Sequence, residues 1–466
     1  MADDHFLKVP GRLMRTLKTG RLSGLVGGSY IGGKLLDRFK DKGDAEKAQM
    51  ERHLKNARRI VETMAELRGP MMKVGQLLST HAEALPQEVV DILSALQSKA
   101  PPMPWAEVRQ QVFAELGAWP EEVFASFEPE AFAAASIGQV HRGVAEVDEG
   151  GTTTAIPVAV KVQYPAADGM VESDLRNLST AIGLVKGVAS DVIGQEKLDF
   201  TPVYEEIGEH MRQETDYCRE AYNAQLMRAV LADQPDVVVP RVFNAFSSFR
   251  VITYEFVEGQ PLAEFLKSGA TAEQRRAVTE RLARSFWAQI FEAGIMHADP
   301  HPGNYLIMED GRIALLDFGC VKIFSERWVS DFTRLVRAYI DGDEAEERAA
   351  ILALELVGEG ASEEEMADMR KIGHYFSAGL LADEPFRFGA EFDYVGQGKD
   401  LIRHFLRARR VPRSHQDFIF LTRVALGLYE YFSQLDAPVN YHRIAWPFIE
   451  HGWQGRKVAI PDYYLE

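Results

Sequence analysis

Apolar and polar positions change period several times along the chain, and the changes divide it. Residues 45–67 have a helix-forming composition of Ala, Glu, Lys, Arg and Met, and Pro70 opens a second segment from Met71 to Leu78. Helices are also expected over 87–97 and 105–116, with Pro101, Pro102 and Pro104 between them. A β-rich part starts near Val123. In it Val158-Ala159-Val160-Lys161-Val162 reads as a buried strand with one polar exception, preceded by a hairpin tip over 148–154. Helices over 174–188 and 201–231 follow, then strands at 237–239 and 250–254. A long amphipathic helix spans 271–293, with Thr271 as cap and Gly294 as stop. Beyond residue 325 the pattern is helical, over 326–340, 344–356, 362–378, 401–407 and 416–431.

Between these helical regions lie two short apolar runs, Tyr305-Leu306-Ile307-Met308 and Ile313-Ala314-Leu315-Leu316, joined by a turn at Asp310-Gly311. Polar groups stand at both outer ends. One end is His297-Ala298-Asp299-Pro300-His301-Pro302-Gly303-Asn304, where Pro300, Pro302 and Gly303 exclude a regular helix; the other is Asp317-Phe318-Gly319. A hairpin brings Asp299 and Asn304 near Asp317. Two carboxylates and an amide oxygen are a hard-oxygen set suited to Mg²⁺.

Composition narrows the choice. The 466 residues allow two or three domains with a large core, and 46% hydrophobic with 26% charged residues is an ordinary globular balance. A net charge of −17 argues against a nucleic-acid-binding surface. The two cysteines, Cys218 and Cys320, build neither a disulfide framework nor a four-thiolate zinc site, which fits a reducing, cytoplasmic setting. No apolar run is long enough to span a bilayer, and no signal-peptide core is expected at the N-terminus.

Residues 7–42 run against the acidic whole. Lys8, Arg12, Arg15, Lys18, Arg21, Lys34, Arg38 and Lys40 alternate with apolar residues. Two readings stand: an arm lying on an anionic membrane surface, or a solvated or packed extension. Gly28-Ser29-Tyr30-Ile31-Gly32-Gly33-Lys34 imitates a phosphate-binding loop. Leu35 stands where Ser or Thr is needed, and no strand leads into it, so it reads as a glycine-rich linker.

Several motifs fall in the order of a protein kinase. The run Ala133-Ala134-Ala135-Ser136-Ile137-Gly138-Gln139-Val140 follows the glycine-loop pattern, with Ala133 and Ala135 at the first two glycine positions and Gly138 and Val140 matching outright. Lys161 occupies the phosphate-pairing lysine position of its strand. Glu220 or Glu214, six residues apart on the next helical stretch, is its candidate partner, and spacing does not choose. Glu255-Phe256-Val257-Glu258-Gly259 marks the passage to the helical half, where main-chain groups of Glu255 and Val257 would meet an adenine edge. Asp299, Asn304 and Asp317 complete the set.

Together these residues resemble the UbiB/AarF family of atypical kinase-like proteins, from about Arg52 to the helical C-terminal half. The most specific marks are Lys73-Val74-Gly75-Gln76, the alanine loop and Glu214-Thr215-Asp216. The resemblance implies an α+β, protein-kinase-like two-lobe fold, with a β-rich N-lobe (118–258), a helical C-lobe (259–466), a helical extension (45–117) and the basic arm (1–44). It implies that Asp299 takes the catalytic-loop aspartate position and that Asn304 and Asp317 hold metal. Lys161 and Glu220 form the lysine–glutamate pair. Lys73 and Gln76 lie on a helix folded over the active site, which Glu214 and Asp216 contact.

The implied cofactors are ATP or ADP with Mg²⁺. The implied reaction is ATP hydrolysis or phosphoryl transfer to a small molecule in ubiquinone or other isoprenoid-lipid metabolism. Membrane contact, if made, is peripheral and runs through the arm. Alanines in place of glycines restrict the loop backbone and imply altered ADP/ATP preference and slow turnover. Ala298 stands where kinases carry Arg, which argues against control by activation-loop phosphorylation. The rival readings are a nucleotide-binding scaffold with little catalysis and a zinc metallohydrolase using His297, Asp299 and His301.

Overall fold

Short apolar runs carry the chain into sheets and period 3.6 carries it into helices, with both kinds of element in each unit. The computed structural model describes residues 102–460 apart from residue 136, most of 166–210, 390–391 and 409–415. The basic arm, Lys73, Gln76, Ser136 and nearly all of the helix expected over 174–188 lie outside the described residues. Two units are distinguished: residues up to 217 together with 245–253, and residues 218–244 together with 254 onward.

The first unit opens with helix α1 (Trp105–Leu116), which Gly117 ends in the left-handed conformation at φ 78°. Its sheet contains β1 (Ser126–Phe127), β2 (Ala133–Ala134), β3 (Gly138–Asp148), β4 (Thr153–Gln163) and β6 (Val251–Glu255). The order is β1-β3-β4-β6, with β2 also on β3. The β3–β4 hairpin turns over 149–152, as the polar run there anticipates. Val158, Val160 and Val162 are fully buried, as are Val108 and Val112 of α1.

The helix expected over 201–231 breaks at 214–216. The Thr215 hydroxyl donates to the Arg212 carbonyl at 2.7 Å. A continuing helix would offer that carbonyl to the N–H of residue 216. Gln163 Nε2 takes the Thr215 carbonyl at 2.8 Å, so this acceptor is also diverted to the sheet. Helix α2 (Tyr217–Val230) then begins afresh.

The second unit holds α2 from Cys218 onward, β5 (Val237–Val238), β7 (Gln260–Pro261), α3 (Ala272–Ala288), β8 (Ile295–His297), β9 (Tyr305–Ile307), β10 (Ile313–Leu315) and β11 (Val321–Ile323). A four-stranded sheet runs β5-β10-β9-β7, and β8 pairs with β11. Thr271 and Gln274 form a reciprocal cap on α3. The chain leaves through Gly294 at φ 62°, as expected. The last turn of this helix, Gln289–Ala293, widens to a π-turn, which the apolar period does not reveal.

The helices that follow include α4 (Glu326–Asp341), α5 (Glu344–Ala353), α6 (Glu363–Ser377), α7 (Tyr394–Ala408), α8 (Gln416–Leu435) and α9 (Tyr441–Ile449). Helix α7 begins seven residues before the expected start, and α9 was not anticipated because Pro447 lies inside it. One apolar core runs through the unit and includes Phe286, Ile290, Phe318, Phe324 and Leu428. A β-rich unit and a helical unit together make the protein-kinase-like two-lobe fold. No helix among the described residues is long and apolar enough to cross a membrane.

Candidate functional site

In the first unit the alanine run closes a tight hairpin. Ala133 lies opposite Val140 and Ala134 opposite Gln139, and the Ala135 N–H donates to the Gly138 carbonyl at 2.9 Å. Gly138 is required here by packing. A Cβ would sit 2.4 Å from the Val162 carbonyl oxygen and 2.8 Å from the Tyr217 hydroxyl. Lys161 lies opposite Val140, which puts it next to the loop on the adjacent strand. It is 9% exposed, with Nζ 4.9 Å from the centre of the Tyr217 ring. Glu214 and Asp216 flank the Thr215 turn and are both half-buried.

In the second unit the hairpin forms as the apolar runs predict. Ile313 pairs with Ile307 and Leu315 with Tyr305, and Gly311 turns at φ 84°. The two polar ends therefore converge. The Leu316 N–H donates to the Asn304 carbonyl at 2.8 Å. Asn304 Nδ2 points to the Asp299 carbonyl at 3.3 Å, which leaves its Oδ1 as the atom for a cation. Asp317 has φ 58°, a strained setting for a residue with a Cβ, and its Oδ1 accepts the Gly319 N–H at 3.1 Å. The donor chemistry suits Mg²⁺: a carboxylate and an amide oxygen at the base of one hairpin, with a second carboxylate on Asp299.

His297 supports this arrangement. Its Nε2 donates to the Asp317 carbonyl at 2.8 Å, and its ring stands edge-on to Phe318. No cluster of three or more His, Cys, Asp or Glu among the described residues is arranged to hold a metal. The His297 N–H in turn reaches Gln289 Oε1 at 2.8 Å, a contact carried by the widened turn.

Of the two glutamates left open, Glu220 is the buried one, at 3% exposure. The Tyr254 hydroxyl donates to its Oε1 at 3.0 Å. One helical turn on, Asn223 Nδ2 donates to the Phe318 carbonyl at 2.5 Å. Spacing of three from Glu220 puts Asn223 on the same face, a signal that was present in the sequence. The Glu255 N–H is taken by the Arg241 carbonyl at 2.8 Å. Phe256 and Val257 are half-buried beside it.

Helix α8 supplies two further groups that sequence reasoning missed. Arg423 Nη2 donates to the Ala298 carbonyl at 2.6 Å, and the Tyr431 hydroxyl donates to the Pro300 carbonyl. No local pattern connects residues more than a hundred positions apart.

A family model described as the ABC1 atypical kinase-like domain matches residues 95–350. The Arabidopsis thaliana protein ACTIVITY OF BC1 COMPLEX KINASE 7, chloroplastic, is 31% identical over 372 residues, 76% of this chain and 52% of that protein. The mitochondrial atypical kinase COQ8B of Rattus norvegicus is 32% identical over 291 residues, 62% of this chain and 52% of its own length. This chain thus spans about half the length of these curated relatives. Among solved structures, the Rv3197–erythromycin complex from Mycobacterium tuberculosis is similar at 27% identity and a TM-score of 0.57, over 88% of this chain and 98% of that one.

Proposed function

Because the chain belongs to the ABC1 atypical kinase-like family, we propose that it binds ATP and ADP with Mg²⁺ and either hydrolyses ATP or phosphorylates a small molecule of ubiquinone-type or other isoprenoid-lipid metabolism. One observation carries this reading: Asp299, Asn304 and Asp317 share the base of a single hairpin, with the last two linked through the Leu316–Asn304 main-chain bond.

Asn304 Oδ1 and the Asp317 carboxylate hold the ion. Asp299 orients or deprotonates the attacking hydroxyl or water. Lys161 neutralises phosphate charge. Bound Mg²⁺ supplies electrostatic stabilisation of the charge spread over the transferring phosphoryl group. The alanine loop favours a restricted grip on the nucleotide. Any membrane contact is peripheral, through the basic residues of the arm at a cytoplasmic face.

The test is Mg²⁺-dependent ATP turnover by the purified protein and its Asp299→Asn and Asp317→Asn variants. Each substitution is expected to lower kcat by roughly 100- to 1000-fold. Equal turnover in all three would sink catalysis and leave a nucleotide-binding scaffold. Mass spectrometry of lipid extracts from cells with wild-type protein or Asp299→Asn then looks for an isoprenoid-lipid difference.

A further inference from the structure

Asp299 is half-buried between two buried residues, Ala298 and Pro300, and both of their carbonyls are taken by one helix. Helix α8 presents Arg423, Gly427 and Tyr431 at intervals of four, which puts them on a single stripe. Arg423 is 6% exposed, and its Nη2 reaches the Ala298 carbonyl at 2.6 Å and Cys320 Sγ at 3.8 Å. Gly427 sits so close to Pro300 that a Cβ would lie 2.7 Å from the proline Cβ. Tyr431 donates to the Pro300 carbonyl and stands edge-on to Tyr305. Near its N-terminus the same helix holds Lys322 on β11 through Asp417 at 2.5 Å.

We propose that α8 sets the position of Asp299 by gripping the peptide carbonyls on either side of it, that of Ala298 through Arg423 and that of Pro300 through Tyr431. The proposal rests on the reading of Asp299 as the group that handles the attacking oxygen. Arg423 and Tyr431 are positioning residues, since each acts through the loop backbone.

The geometry explains what a chain with Ala298 in place of arginine does instead. The guanidinium comes from a helix far along the sequence and points at main chain. The two N–H donors of its Nη2 suit a carbonyl and a thiol lying side by side. Burial pushes the Tyr431 hydroxyl well above the ordinary phenol value, with Tyr305 and the charges of Glu430 and Asp299 adding to the effect, so it stays a donor across the working pH range. Two carbonyls held at the flanks of one residue leave its Cα little freedom. Misplacement of a reacting group by about 1 Å costs on the order of 100-fold in rate.

The experiment compares Tyr431→Phe and Arg423→Lys with wild type and Asp299→Asn, singly and combined. Tyr431→Phe keeps the ring and removes only the donor, so it is the variant least exposed to folding failure. It is expected to lower kcat for Mg²⁺–ATP hydrolysis by roughly 10- to 100-fold with KM within about twofold. On the Asp299→Asn background it should lower the rate no further, while shifting Tm as much as it does in wild type. Hydrogen exchange should rise about tenfold in the peptide 297–304 and not in α3 or α4.

If Tyr431→Phe and Arg423→Lys turn over normally while Asp299→Asn is inactive, the positioning proposal fails and the functional reading stands. If rate losses simply multiply on the Asp299→Asn background, or exchange in 297–304 is unchanged, α8 is a structural support only and the proposal fails. If Asp299→Asn turns over like wild type, both fall.

Discussion

Gly427→Ala puts the coupling between α8 and the Asp299 loop to a quantitative test. The added Cβ would sit 2.7 Å from Pro300 Cβ and 3.0 Å from its Cγ. Non-bonded carbons settle at about 3.5–4.0 Å, so the shortfall is on the order of 1 Å. A proline ring cannot swing aside, and its carbonyl is held by Tyr431. Relief must come from the backbone around Asp299 or from a tilt of α8.

Overpacking of this kind costs about 1–3 kcal/mol. Alanine in a helix interior recovers roughly 0.5–1 kcal/mol relative to glycine. The net loss of stability is therefore small, about 0–2.5 kcal/mol. The rate follows a different scale. A shift of about 1 Å at Asp299 is expected to lower kcat by up to ~100-fold, equivalent to ~2.7 kcal/mol of barrier. Steady-state Mg²⁺–ATP turnover and thermal unfolding, measured on the same samples, separate the two effects. Gly360→Ala is the control, since a Cβ there meets nothing within 4 Å. A Gly427→Ala protein with kcat within twofold of wild type would show that the loop yields without carrying Asp299 with it, and the reasoning would be wrong.

Three further outcomes are expected. Gly138→Ala should destabilise the first unit by about 1–3 kcal/mol, because the Val162 carbonyl 2.4 Å from the new Cβ is backbone and cannot rotate away; an unchanged urea midpoint would contradict this. His141 is lowered below its usual value chiefly by burial, against the opposing pull of the Glu128 carbonyl and the Glu130 charge. The unfolded chain therefore binds the extra proton first, so stability is complete above about pH 6.5 and declines as pH falls through that value toward the lowered one. Denaturation at pH 7.5 and 5 should show this decline, and His141→Gln should flatten it. Ala134→Gly or Ala135→Gly frees the loop backbone and should change the ratio of ADP to ATP affinity by calorimetry; identical affinities for both nucleotides would count against the restricted-loop reading.

Local chemistry determined a good deal on its own. The β9–β10 hairpin was legible because Asp310-Gly311 interrupts two apolar runs of matched length, and a hairpin's ends must meet. Thr271 and Gly294 marked the limits of α3 because cap chemistry is local. The order of the alanine loop, Lys161, an acidic helix, Asp299, Asn304 and Asp317 gave the kinase-like pattern, because that chemistry depends on residue type and sequence order, and Lys73-Val74-Gly75-Gln76 with Glu214-Thr215-Asp216 narrowed it to the family. The break at Thr215 was hidden, since it depends on Gln163, 52 positions away, taking a carbonyl that the helix would otherwise use.

That Glu220 is the more deeply buried of the two glutamates is a fact of packing, which six residues of spacing do not encode. Gly138 looked like a phosphate-binding glycine, and only packing showed the Val162 carbonyl behind it. The grip of Arg423 and Tyr431 on either side of Asp299 was out of reach for the same reason. Hydrogen bonds across 125 and 131 residues leave no periodicity, and only the folded chain brings such groups together.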